Sequence, residues 1–168
     1  MSSNIKESLL KLRIVWGALC LPIFIHGFLL VSILGLNFDS GGQVGSLVGS
    51  FTRFPGVVYF GLSILLLILS RLIPGVLFRD NMKKGAKDPS QILSFYWVSY
   101  LVGMIMLEGI GFLGLLLTVL ENDLRIYVIF STVALLNMLI RYPQEKALLD
   151  VLGAQDQTSQ ASQSLNKI

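Results

Sequence analysis

Four long apolar runs, separated by short polar stretches, constrain this chain more than any other feature. They are Ile14–Leu36, Phe54–Phe78, Gln91–Leu120 and Ile126–Ile140. The chain has 168 residues, of which 54% are hydrophobic and only 14% charged. A soluble domain of this size cannot hide so much apolar surface, so lipid must serve as part of its solvent. The expected fold is therefore all-α, with four transmembrane helices. The last run is short of the ~20 residues a spanning helix needs, and flanking Arg125 and Arg141 are expected to snorkel to the headgroups.

The first run follows Lys6, Lys11 and Arg13, as a secretory signal core would. It exceeds the ~7–15 residues of such a core, and no small-x-small cleavage site follows, so it reads as a retained helix. Basic residues set the orientation. With both termini inside, the cytoplasmic parts hold Lys6, Lys11, Arg13, Arg71, Arg79, Lys83, Lys84, Lys87, Arg141, Lys146 and Lys167. The outer parts hold only Arg53 and Arg125. The expected location is a bacterial or archaeal inner membrane, with both termini cytoplasmic.

Local signals mark the connections. The outer loop Asn37–Arg53 is rich in Gly and Ser, and the turn Glu121–Arg125 is tight and acidic. Asp88-Pro89 suits a helix start, with Asp capping free N–H groups and Pro in the first helical position. Residues 1–152 are expected to form the transmembrane domain, including a short cytoplasmic surface helix at 143–152 whose Ala147, Leu148, Val151 and Leu152 share a face. Residues 153–168 are too polar to pack and are expected to be disordered. A faint internal repeat pairs Trp16 with Trp97, His26-Gly27 with Glu108-Gly109, and Arg71-Leu-Ile-Pro74 with Arg141-Tyr-Pro143, suggesting two tandem hairpins.

The net charge of +3 does not point to nucleic acid, because the charges flank the apolar runs. The single cysteine, Cys20, excludes an internal disulfide and a cysteine-based metal site. No hydrolase triad, phosphate-cradling loop or His/Cys/carboxylate cluster is present, so neither an enzyme nor a bound cofactor is expected.

Besides Arg71, both Glu108 and His26 interrupt the apolar runs. A carboxylate in the membrane interior costs a few kcal/mol, so Glu108 is expected to face a partner, a cavity or an ion path. Ser99, Gly103 and Gly114 fall within about 60° of one another on a helical wheel, with Gly111 between them and Glu108. Such small residues let helices approach closely. Glu108 thus reads either as a reversibly protonated ion-binding group or as a protonated hydrogen-bonding glue. His26 lies about 18 Å up its helix, a depth similar to that of Glu108, so the two could pair. It is a structural hydrogen-bonding residue, part of a proton path, or a haem or metal ligand. A bis-histidine haem within one chain is impossible with one histidine. Asn137 is expected to bond across helices. Arg71 and Arg141 read as snorkelling helix ends or as groups that pair with acids of a partner.

These features resemble the membrane-ring proteolipids of rotary ATPases, the c-type subunits and their vacuolar relatives. The likeness rests on Arg71-Leu-Ile-Pro74, on Gly103-Met-Ile-Met-Leu-Glu108-Gly-Ile-Gly-Phe-Leu-Gly114-Leu115, and on Arg141-Tyr-Pro-Gln-Glu145. It implies that Glu108 carries H⁺ or Na⁺ in an oligomer. It also implies that Arg71, Pro74, Arg141, Pro143 and Glu145 face cytoplasmic partners. The expected associations are therefore the lipid bilayer and either a homo-oligomer or a larger membrane complex. The competing expectation is a non-conducting accessory subunit in which Glu108 and His26 only fix helix packing.

Overall fold

The computed structural model describes residues 2–32, 49–83, 89–146 and 149. It is all-helical, with no strand among the described residues. The helices are α1 (Ser2–Ser32), α2 (Gly56–Lys83), α3 (Pro89–Glu121) and α4 (Leu124–Ile140). Three of them, α1, α2 and α3, are long and apolar enough to cross a membrane, while α4 is a shorter apolar helix.

Successive helices run in opposite directions. Along α3, Pro74 of α2 lies beside Gly103 and Leu66 beside Gly109, so α2 descends as α3 rises. Ile23 of α1 meets Gly111, and the His26 ring lies against Phe112, so α1 rises with α3. Trp16 of α1 donates its indole N–H to the Met138 carbonyl, whereas Tyr127 reaches the Ile23 carbonyl, so α4 descends beside α1.

The centre of the bundle is α3. It packs against α2 and α4 most extensively and against α1 as well, and α1 also touches α4. In the apolar windows of these helices 44% of α3 is buried, against 17% for α1 and for α2. Met104, Leu107, Ile110 and Leu117 form the inner face of α3, each no more than 2% exposed. Because lipid solvates apolar side chains as well as another helix does, close approach and polar contacts must hold such helices together. Gly114 and Gly111 supply the approach, to Phe130 of α4 and Ile23 of α1 respectively. Gly27 does the same for the Tyr127 ring, whose hydroxyl then donates to the Ile23 carbonyl.

Two helices extend past their apolar runs. α1 begins at Ser2 rather than near Ile14, with Leu9 and Leu12 buried and an exposed Glu7–Lys11 pair at 2.6 Å on its surface. α2 runs through Pro74 to Lys83, so the Arg71–Pro74 stretch is helical. By contrast α4 does stop at Ile140, ahead of Pro143. Pro22 is accommodated within α1. The start of α3 at Pro89 agrees with the Asp88-Pro89 signal, although Asp88 lies outside the described residues. Most of the Asn37–Arg53 loop, the tail and half of the 143–152 segment also lie outside them; within that segment Glu145, Lys146 and Leu149 are helical.

The turn from α3 to α4 is closed by local chemistry. Asn122 adopts a left-handed conformation (φ 54°), and the Asp123 N–H bonds back to the Thr118 carbonyl at 3.3 Å, as in a Schellman cap. Asp123 then caps α4 by accepting from the Arg125 backbone N–H at 3.0 Å.

Candidate functional site

Glu108 stands at the edge of α3's packed arc. Its helical neighbours Met104, Leu107 and Gly111 are buried, while Ile105 and Phe112 on the other side are open. The carboxyl is half-buried and makes no hydrogen bond or ion pair with the described residues. Gly111 faces α1 and Gly109 faces α2, so the open strip beside Glu108 lies between those two helices. Val98, Ile105, Phe112 and Val119, seven residues apart, form that strip, each about half exposed.

His26 does not pair with Glu108. Its ring centroid lies 6.4 Å from that of Phe112, one turn farther along α3. The helices are neighbours, as their pairing would require, but their stagger carries His26 past the carboxylate. Neither residue takes part in a group of three metal-ligating side chains, and no such group exists among the described residues.

Ser99, Gly103 and Gly114 lie on one face of α3, turned towards α2 and α4, and Gly111 turns towards α1. A Cβ at Gly103 would meet the tip of Arg141, with Pro74 Cγ at 3.0 Å and the Ser70 carbonyl at 3.3 Å. The hydroxyl of buried Ser99 has no partner among the described residues, and neither have those of Tyr100 and Thr118.

The Gly103 contact reveals a second polar centre where α4 ends, part-way along α2 and α3. Arg141 Nη2 donates to Ser70 Oγ at 3.3 Å, and Arg71 Nη2 donates to Asn137 Oδ1 at 3.3 Å. The expected cross-helix bond of Asn137 is therefore present. Its amide also donates to the Val133 carbonyl at 2.9 Å. Burial, and then the charge of Arg71, push Arg141 below the ordinary arginine value, with Tyr100 opposing. Neither guanidinium has a carboxylate partner among the described residues, and Glu145 is exposed.

Aromatic groups surround this level. Trp16 and Tyr142 meet edge to face with centroids 5.2 Å apart, and the Arg13 guanidinium lies 5.4 Å from the Tyr142 centroid. Such rings commonly mark a membrane–water interface. Gly103, and with it Arg141, lies about 8 Å along α3 from Glu108, whereas Glu121 lies about 20 Å away on the other side. Glu108 is thus nearer the arginine end.

Ser70, Tyr100 and Tyr127 had no distinguishing signal in the sequence, since each sits in an apolar run without a motif. No family model, curated protein or solved structure matches the chain.

Proposed function

We propose that the chain is a four-span membrane subunit with both termini on the inner side, assembling with further copies or within a larger complex. In this reading Glu108 reversibly binds H⁺ or Na⁺ and passes it across the membrane. One observation carries the reading: Glu108 is half-buried beside an open strip of α3 and has no partner among the described residues. A carboxyl serving as glue within the chain needs a bond to another helix. A carboxyl that loads and unloads an ion needs access instead, and Glu108 has it. The neighbouring apolar strip suits either lipid or a second copy, as the likeness of Gly103–Leu115 to the proteolipids implies.

The spanning arrangement draws on three supports. α4 has 17 residues, about 26 Å at 1.5 Å per residue, close to the ~30 Å hydrocarbon core. Arg125 and Arg141 bracket it, and the inner bracket coincides with the Trp16 and Tyr142 rings. The basic excess on the proposed inner side agrees with that sidedness. Within this frame the ion has a short route, about 8 Å, from the arginine end to Glu108.

Glu108→Gln separates this reading from the accessory-subunit alternative, because the amide keeps hydrogen-bonding capacity but cannot titrate. In vesicles, carbodiimide labelling and ion flux are expected in the native protein and lost in the variant, with assembly on native gels unchanged. Normal flux in Glu108→Gln would sink the proposal.

A further inference from the structure

The groove between α2 and α4 unites two features that otherwise look unrelated. At its inner end stand Arg71 and Arg141, held by Asn137 and Ser70 and left without a carboxylate among the described residues. Directly above them the groove is an open apolar channel, floored by Ile110 of α3 and walled by Phe60, Ile64, Leu67 and Val133 among others. Leu67 and Val133 lie one turn from Arg71 and Asn137 in sequence, so charged end and channel are continuous. The one hydroxyl in the channel, Ser63, is already bonded to the Tyr59 carbonyl at 2.9 Å, which leaves the lining apolar.

From Arg71 to Phe60 the channel rises about 16 Å. That is about half of a ~30 Å hydrocarbon core, the depth of one leaflet. We propose that this groove binds a single anionic phospholipid of the leaflet at the arginine end. Its phosphate would be held by Arg71 and Arg141, and one acyl chain would lie along the channel towards Phe60. Guanidinium forks match phosphate oxygens in geometry and charge. The like charges of the two arginines, unneutralised among the described residues, favour a headgroup that carries no compensating cation. The site lies on the α2–α4 side of α3, away from the strip that Glu108 borders.

The test uses the full chain in mild detergent, equilibrated with equal amounts of phosphatidylglycerol and phosphatidylcholine of identical acyl chains. Retained lipid is read by native mass spectrometry. One retained lipid per chain is expected, with phosphatidylglycerol preferred by about tenfold or more. That preference should collapse in Arg71→Gln, whose side chain is exposed and whose loss leaves the core intact, and in the Arg71→Gln/Arg141→Gln double variant. Val133→Trp should expel the lipid by filling the channel while keeping both charges. Equal retention of the two lipids, or retention undiminished in the variants, overturns the proposal. Displacement by excess inorganic phosphate overturns it in favour of a free-anion site. Replacement of lipid by an acidic polypeptide that depends on Arg71 overturns it in favour of a protein partner. Lipid retention is read without ion flux, so its failure leaves the role of Glu108 untouched.

Discussion

Each end of α4 carries an arginine, Arg125 at the end that the proposed orientation makes outer and Arg141 at the one it makes inner, and the two are treated very differently. At the outer end Arg125 bonds to Asp123 through both Nε, at 3.0 Å, and Nη2, at 2.8 Å, while the same carboxylate caps the helix. Charge, cap and turn are all satisfied by residues between Thr118 and Arg125. At the inner end Arg141 reaches across to α2, finds only a hydroxyl, and lies against the bare backbone of Gly103. At the outer end the charge and the cap close on each other within the turn. The inner end keeps two positive charges without a carboxylate among the described residues.

Glycine substitutions along α3 test that contrast most severely. At Gly114 a methyl group would collide with the Cβ of Phe130 and crowd its Cγ at 2.9 Å. Those atoms are fixed close to the α4 backbone, so Gly114→Ala is expected to cost about 1–3 kcal/mol of overpacking. A propensity gain of up to about 1 kcal/mol partly offsets that. At Gly103 the obstructing group is mostly the flexible tip of Arg141. Gly103→Ala is expected to cost clearly less, because the guanidinium can swing away from Ser70. Unfolding of both variants in mixed micelles measures the difference. If Gly103→Ala proves as damaging as Gly114→Ala, the inner end is as rigidly packed as the outer, and the contrast fails.

How far these features can be read from sequence follows the same division. The apolar runs, their alternating direction, the tight Glu121–Arg125 turn, the start at Pro89 and the cross-helix bond of Asn137 are all local or strongly patterned. Hydropathy could not show that α1 begins at Ser2 or that α2 passes through Pro74, since polar flanks continue a helix without an apolar signal. Depth counting placed His26 level with Glu108 because rise per residue is known while the stagger of packed helices is not. Packing sets that stagger, and it moved His26 to Phe112. The Arg141–Ser70–Gly103 arrangement joins three helices through residues with no motif, so only the assembled bundle reveals it. The tandem-hairpin pattern likewise has two unlike ends, with Pro74 inside α2 and Pro143 beyond α4.

The outer end supplies the next test. Asp123→Ala removes the acceptor for the Arg125 backbone N–H and the ion pair together. Loss of a cap of this kind costs about 0.5–2 kcal/mol, and the effect should appear in the same unfolding assay. Asp123→Asn keeps a capping oxygen and should recover most of that loss. No recovery would mean that the ion pair, rather than the cap, closes this end.

The smallest effect is the pH dependence of the same carboxyl. The hydrogen bond from the Arg125 side chain, with a further backbone bond and the guanidinium charge, holds Asp123 below its ordinary value of 3.8 despite some opposing burial. A carboxyl lowered on folding stabilises the folded state in full above its unfolded value. That contribution disappears as the pH falls through the lower folded-state value. Stability traceable to Asp123 should therefore be flat from neutrality to near the ordinary 3.8 and decline only in stronger acid. The slope should be gentle, because the Arg125 side chain keeps part of its surface in solvent, where salt screens the attraction. Unfolding of native protein and Asp123→Asn compared across that acid range isolates the term, since the amide has nothing to titrate. Identical acid limbs would show that Asp123 and Arg125 do not interact once the cap is satisfied. The outer end would then be closed by hydrogen bonds alone, and its difference from the inner end would be one of capping rather than of charge.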